Sequence, residues 1–376
     1  MNTMKGGSIM KAKAAIFWEV GKRLDIQEVD VEKPHAGEVL VKLGAAGICH
    51  SDHHVMTGHL FGPSPAILGH EGAGIVAEVG PGVTAVKPGD HIIIMWRLSC
   101  GICEYCSDGR PALCPAGSQI RSTGKLLDGT TRFKYKGQEI KHFAGASTFS
   151  EYTVIPEGSA LKIPQDFSLE IAALLGCGVI TGVGAAINCA KVKPGSTSVV
   201  FGAGGIGLNI IQGAAIAGAA KIIAVDLNAK KLDYAKSFGA THFVDASKKN
   251  AVEAVKALTN GGGVDYAFEA VGSPETIRQA FDCLAKRGMC VAVGVAPMAK
   301  EVAVPIMALV FEEKTLTGSL YGSAKIRQDT YMLMEMYKAG KLKLDELLTR
   351  KYPFAQINEA YDNLIKGEVA RSIVTF

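Results

Sequence analysis

The sequence predicts an α/β protein of two domains, a compact β-rich unit followed by a doubly wound parallel sheet. Three observations lead there. At 376 residues the chain exceeds what one hydrophobic core ordinarily supports. From Lys11 to about Ile163 it runs in short β-type segments broken by Gly, Pro and Asp. From about Val179 the rhythm becomes strand, glycine-rich turn and helix, repeated, and strands that alternate with helices imply a parallel sheet covered on both faces.

In the first unit AKAAIFW, EVLVKLGAAG, GIVAEVG, HIIIMW and SEYTVI read as strands, and VGPGVTAVKPGDHI (79–92) is turn chemistry between two of them. The basic residues of TTRFKYKGQEIKHF read as a solvated hairpin. In the second unit SVVFGA, KIIAVD, HFVD, VDYAFEA, GMCVAVGV and TLTGSLYG read as strands, separated by helices such as AKKLDYAKSFGA and PETIRQAFDCLAKRG. After about Gly322 the pattern changes to an amphipathic helix, RQDTYMLMEMYKAGK, and a closing segment that ends in a short strand; both are expected to return to the first unit. The expected domains are therefore residues 1–178 with 322–376, discontinuous, and 179–321.

Charge and composition remove several function classes. The formal charge of +4 is spread along the chain, whereas a groove that tracks phosphates needs concentrated charge, so no nucleic-acid partner is expected. Met1 to Met10 is short and polar, with no apolar export core, so the expected compartment is the cytoplasm. Ser196 to Ala220 is uncharged and long enough to span a bilayer, but it holds six glycines with Asn209 and Gln212, so a buried turn and helix are expected and no membrane partner. In a reducing compartment nine cysteines read as metal ligands, catalytic groups or small core residues. Cys189, Cys283 and Cys290 lie in apolar surroundings and read as core.

VVFGAGGIG (199–207) carries G-x-G-x-x-G as Gly202, Gly204 and Gly207, directly after an apolar strand and at the opening of a helix. The first glycine permits the tight turn, the second lets backbone approach a pyrophosphate, and the third lets helix lie against strand; Gly205 and Ile206 begin the helix whose free N–H groups face the phosphates. About 20 residues further on, KIIAVD ends at Asp226, a carboxylate placed to accept hydrogen bonds from an adenosine ribose. Its charge would repel a 2′-phosphate, so the expected cofactor is NAD, not NADP.

CGICEYCSDGRPALC places Cys100, Cys103, Cys106 and Cys114 at gaps of three, three and eight. Four thiolates around Zn²⁺ leave no open position, which makes this a structural zinc site, with an iron–sulfur cluster as the rival. A catalytic zinc needs three protein ligands and an open position; the candidates are Cys49 in GICHSD, His70 in GHEGAG and Cys177 in LLGCGV, which spacing alone does not bring together.

The segments GICHSDHH, GHEGAGIVAEVGPGV, the four-cysteine loop, HFAGASTFSEYTV, GCGVITGVGAA, the glycine fingerprint and the closing ARSIVTF together resemble the zinc-dependent alcohol dehydrogenases of the medium-chain dehydrogenase/reductase superfamily, over nearly the whole chain. The resemblance implies a GroES-like β catalytic domain, a Rossmann NAD-binding domain and two zinc ions per subunit, with Cys49, His70 and Cys177 holding the catalytic one. It implies that Ser51 and, through a cofactor ribose, His54 carry the substrate proton away; that Asp52 orients His70; that Glu71 lies beside the metal; and that His50, Lys231, Val295 and Arg371 contact the cofactor, Arg371 at the pyrophosphate. His53 is left a surface or packing role, and His59 borders the substrate channel. Ser51, Leu60, Trp96 and Phe143 would line a largely apolar pocket for medium or bulky primary alcohols, aliphatic, aromatic or terpenoid. The glutathione-dependent formaldehyde dehydrogenase branch is the near alternative, but His59, Leu60 and Ser118 stand where its charged anchors are expected. A non-enzymatic, NADH-binding or structural relative is the alternative of another class. The long segment after the zinc loop accompanies a homodimer in this family.

Overall fold

The computed structural model describes residues 9–376, so the expectation about the export signal falls partly outside the described residues. The chain forms two compact units, Met1–Cys177 with Leu344–Phe376, and Gly178–Lys343.

The first unit combines a closed barrel and a second sheet. The barrel joins, in order, Met10–Phe17, Asp25–Val31, Phe133–Tyr135, Gln138–His142 and Ala66–Ile67. The second sheet runs Ala160–Ile163, His91–Ile94, Gly72–Val79, Glu38–Ile48, Arg371–Thr375, Leu348–Pro353, with Tyr152–Pro156 also paired to Glu38–Ile48. Strand alternation divides the long central strand between two cores: Val39, Val41 and Leu43 pack with Val76, Ile92 and Ile94, while Leu40, Ala46 and Ile48 join the barrel core with Phe17 and Phe149. The chain's last strand returns here, Ser372 opposite Ile48 and Val374 opposite Ala46.

The return begins at Leu344, later than the expected residue 322. The intervening helix Ile326–Lys338 stays with the second unit because its apolar stripe, Ile326, Leu333 and Met334, is buried and Asn188 Nδ2 donates to Asp329 at 2.8 Å.

The solvated-hairpin reading also needs correction. Phe133–Tyr135 and Gln138–His142 do form a hairpin, but it closes the barrel, and Arg132 at its start is fully buried. Its guanidinium is held by Glu38 (2.8 and 2.7 Å) and Asp128 (2.5 Å), a charge that folding could bury only with carboxylates already in place.

Beside it, His142 is completely buried. Its Nε2 accepts from the Arg132 backbone N–H at 3.2 Å, so Nε2 is unprotonated and Nδ1 donates to Ser147 Oγ at 3.4 Å. Burial, aided by Arg132, pushes its pKa down to about 3. Unfolded histidine binds its proton below about 6.5, whereas the native ring stays neutral until far lower, so stability falls as pH drops through that window by at most about 1.4 kcal/mol per unit. Urea titrations on the acid side of neutrality should show this slope in the wild type and a shallower one in His142→Gln; equal slopes would refute the assignment.

The second unit is a six-stranded parallel sheet ordered His242–Asp245, Lys221–Asp226, Thr197–Phe201, Val264–Glu269, Leu284–Ala292, Thr315–Gly318. This order reverses beside Thr197–Phe201, the switch point at which doubly wound sheets bind nucleotides. Capping marks the helices: Ser273 accepts from Glu275 N ahead of Pro274–Asp282. That helix is shorter than the expected PETIRQAFDCLAKRG. Cys283 O accepts from Val264 N and Leu284 pairs with Val264, so the sheet takes the backbone from there. Ser196–Ala220 forms the expected strand and helix, with Val199, Phe201, Leu208, Ile210 and Ile211 buried. Cys283 and Cys290 are core thiols, pushed up to about 12 by burial, whereas Cys189 is half-buried and donates to Gly318 O. Among the described residues one helical run, Leu169–Cys189, is long and apolar enough to cross a membrane, but 83% of its apolar window is buried in protein, as befits a core helix.

Candidate active site

The strand Glu38–Ile48 runs directly into Cys49, whose extended backbone is the N-cap of the helix His50–Met56. Two residues into that helix, Asp52 is fully buried; its Oδ1 accepts from Gly69 N at 3.0 Å and from His70 Nδ1 at 3.1 Å. With Nδ1 donating, His70 Nε2 keeps its lone pair for a metal. Trp96 and Phe143 meet the imidazole edge-on, with ring centroids 5.9 and 6.0 Å away, and fix its plane.

The ligand atoms of Cys49, His70 and Glu71 all lie within 4.8 Å of one another. Cys177 comes from a π-helical turn, Leu175–Val179, a geometry that re-aims one side chain within a helix; it stands outside that 4.8 Å group, but its thiol interacts with that of Cys49. The neighbouring Cys177, with the charges of His70 and Arg371, holds the Cys49 thiol well below its ordinary range, while burial opposes it. Cys49 and burial push Cys177 up. Burial disfavours charge on His70, yet Asp52 and Cys49 raise its pKa well above the usual value. Two soft sulfurs and one oriented imidazole are a donor set that suits Zn²⁺.

Behind them lies a buried ion pair. Arg371, 4% exposed, donates from Nη2 to Glu71 Oε2, while Glu71 Oε1 is buried with no hydrogen-bond partner among the described residues, 4.0 Å from His70 Nε2. Burial raises Glu71 to about 7 against the pull of Arg371. Gly47 is required here, since a Cβ would collide with the Glu71 carboxylate. The structure pairs Arg371 with Glu71 through Nη2, across 300 residues, a partner that no local signal reveals.

In the cysteine loop the sulfurs of Cys100, Cys103, Cys106 and Cys114 also lie within 4.8 Å of one another. Ideal tetrahedral Zn–S geometry separates sulfurs by about 3.8 Å, and Cys100 and Cys106 stand 4.0 Å apart. Backbone N–H groups stabilise thiolate: those of Ile102 and Cys103 bring Cys100 down to about 6. Buried Arg97 ties the loop to the sheet, donating to Ala112 O at 2.8 Å and Ser118 Oγ at 3.1 Å.

At the switch point of the second unit Gly202 has φ +91°, and a Cβ on Gly207 would run into the Gly202 carbonyl, so both glycines are compulsory. A Cβ on Gly204 would meet nothing within 4 Å, which leaves space at the N-terminus of the helix Gly205–Ile216. Asp226 closes the site from the next strand. Its Oδ2 accepts from Ala203 N at 2.8 Å and its Oδ1 from Asn228 N at 2.9 Å, bonds that lock the carboxylate against the glycine loop. Lys231 is half-buried, and Val295 lies exposed beyond the Leu284–Ala292 strand.

The zinc-binding dehydrogenase profile matches residues 205–339, and the alcohol dehydrogenase GroES-like domain matches 35–165. A solved alcohol dehydrogenase zinc-binding domain protein from Burkholderia ambifaria is 33% identical, covers 98% of this chain and 100% of its own, and superposes with a TM-score of 0.93. The chain belongs to the zinc-dependent alcohol dehydrogenases of the medium-chain dehydrogenase/reductase superfamily. Benzyl alcohol dehydrogenase from Acinetobacter calcoaceticus is 34% identical over 98% of this chain and 99% of its own, with a TM-score of 0.92. A zinc-binding dehydrogenase of Sinorhizobium meliloti, solved bound to NADP, is 27% identical over 98% and 100%, with a TM-score of 0.80.

In the first unit the helix His50–Met56 presents Ser51, His53 and His54 half-buried and His50 exposed. His53 stacks on buried Tyr361, with centroids 6.4 Å apart, which is a packing role. His54 Nδ1 lies 3.5 Å from His59 Nδ1, a contact that sequence reading missed because it depends on the turn between them. Leu60 and Trp96 pack against the barrel core that contains Phe143.

Proposed function

We propose that this oxidoreductase is an NAD-dependent alcohol dehydrogenase that interconverts bulky or aromatic primary alcohols and their aldehydes, with a catalytic zinc at Cys49, His70 and Cys177 and a structural zinc at Cys100, Cys103, Cys106 and Cys114. The observation that carries this reading is the buried set in which Asp52 orients His70 beside the Cys49 thiol, their ligand atoms within 4.8 Å, with Cys177 near enough to act on that thiol. When bound, zinc supplies Lewis acidity that lowers an alcohol's pKa, and NAD accepts the hydride. The chain's own residues do the rest. Asp52 holds the imidazole tautomer. Ser51 takes the proton from the substrate hydroxyl and passes it toward His54, which burial, with His59 and His53, keeps below its usual pKa and so neutral and able to accept. Leu60, Trp96 and Phe143 keep water from the reacting carbon, and the likeness to a benzyl alcohol dehydrogenase favours aromatic substrates. The glutathione branch is disfavoured, since the Ser118 hydroxyl is already engaged by Arg97 and no cation stands at His59 or Leu60. The nine unpaired thiols suit a reducing cytoplasm.

The test is reduction of NAD by the zinc-replete protein with benzylic, terpenoid and short aliphatic alcohols. Benzylic alcohols should give the highest kcat/KM; zinc-replete protein that reduces nicotinamide with none of them would defeat the reading.

Asp226 supports the choice of NAD, and the NADP-bound relative makes that choice testable. Asp226→Ala should lower kcat/KM with NAD by roughly 10- to 100-fold, the worth of about 1.5–3 kcal/mol in charge-assisted hydrogen bonds, while NADP use rises. An unchanged preference would show that another residue sets it.

A homodimer is supported by the second unit's edge. Thr315–Gly318 ends the sheet, and nearby Ile306, Met307, Val310 and Phe311 are 74, 65, 63 and 73% exposed, an apolar group that water disfavours. Met307→Lys/Phe311→Glu should sediment as a monomer; a dimer retained in that variant would place the interface elsewhere.

A further inference from the structure

We infer that His54 and His59 form a chelating site for a divalent transition-metal ion, separate from both proposed zinc sites, and that its occupation blocks turnover. The blocking part rests on the reading of His54 as the proton acceptor; the binding part does not.

The distance between the two Nδ1 atoms is the first ground. At 3.5 Å it is long for an N–H···N hydrogen bond, since such bonds centre near about 3.0 Å. Two nitrogen ligands at tetrahedral angles on Zn²⁺ stand about 3.3 Å apart. The pair is therefore closer to chelate spacing than to a strong mutual hydrogen bond. The rings stand 5.6 Å apart at 52°, which lets both Nδ1 atoms be neighbours without stacking.

The second ground is that one short turn holds both rings. Thr57 N donates to His53 O at 2.9 Å, Gly58 N to Val55 O at 3.1 Å and Leu60 N to His54 O at 3.0 Å. Gly58, at φ +78°, lets the chain reverse between them. The Thr57 hydroxyl donates to His53 O at 3.0 Å, and its 3.3 Å contact with His59 Nδ1 is the one that a bound ion would replace. Preorganisation of this kind lowers the entropic cost of capturing an ion.

The third ground is ligand chemistry. His59 is exposed and His54 half-buried, so an ion has access. Burial and the neighbouring histidines keep His54 neutral, the form that ligates. Two imidazoles with water completing the shell select Zn²⁺, Cu²⁺ or Ni²⁺ over Mg²⁺ and Ca²⁺. A metal on His54 Nδ1 would leave that nitrogen unable to accept a proton.

The probe is Zn²⁺ itself, titrated calorimetrically into protein dialysed to its resident zinc content. Wild type should take up one further equivalent, with no response to Mg²⁺. His59→Gln should lose that equivalent and His53→Gln should keep it. No extra equivalent in the wild type, or the same equivalent in His59→Gln, overturns the site. In parallel, excess Zn²⁺ should inhibit the wild type at concentrations at least tenfold below those that inhibit His59→Gln. Uptake of the equivalent without inhibition overturns the blocking role, and with it the reading of His54 as proton acceptor, while the metal site stands.

Discussion

Cys49→Ser should leave the protein folded with one zinc fewer per chain and lower kcat/KM by at least about a thousandfold, because the several kcal/mol of charge stabilisation that a catalytic metal supplies departs with the ion. Serine keeps the shape of the side chain but not its chemistry: its hydroxyl does not ionise near neutrality, whereas the Cys49 thiol is held well below its ordinary range by Cys177, His70 and Arg371. His70 and Cys177 alone make a weak site. Metal analysis separates this loss from damage to the cysteine loop, whose four sulfurs form their own cluster and should keep their ion. Full zinc content and normal turnover in the variant would refute Cys49 as a ligand.

Arg371→Met should cost about 3–5 kcal/mol of stability, the loss expected when one partner of a buried ion pair is removed and the other charge is stranded. Glu71 is fully buried, and among the described residues Arg371 is the hydrogen-bond partner found for its carboxylate. The pH dependence has a definite sign. Burial already raises Glu71 to about 7, above its ordinary 4.5, and loss of Arg371 removes a charge that lowers it. The native state of the variant then binds a proton that the unfolded chain releases, so the defect is largest in alkali and shrinks as pH falls through the raised pKa. Glu71→Gln/Arg371→Met should recover part of the loss, because the stranded charge is gone. Urea unfolding of the zinc-replete proteins on both sides of neutrality checks this. A defect that is independent of pH, or additive in the double variant, would mean that packing and not charge is at stake.

Much of this could be read locally. The glycine fingerprint, Asp226 and the four cysteines act over a turn or a loop, so their spacing already implies their geometry, and the structure sets Gly207 against the Gly202 carbonyl and Asp226 on the Ala203 N–H of the same turn. The strand and helix rhythm conveyed the parallel sheet because apolar periodicity is a local property. The errors fell where the outcome depends on competition between distant partners. The helix Ile326–Lys338 carries the same stripe whichever unit it covers, and only Asn188 and its neighbours decide. Arg132 looks like any basic hairpin residue until Glu38 and Asp128 arrive to neutralise it.

The sequence by itself determined the two-unit α/β plan, the glycine-rich turn and the sulfur-rich loop, because each is read from local stretches whose backbone and donors are consecutive. Resemblance already put Asp52 behind His70, but only the tertiary structure decided that Glu71 takes Arg371 as its counter-charge and that His59 turns back onto His54. The physical reason is burial. A charge or a lone pair removed from water must find its partner wherever the packed chain supplies one, and that partner is chosen by the fold.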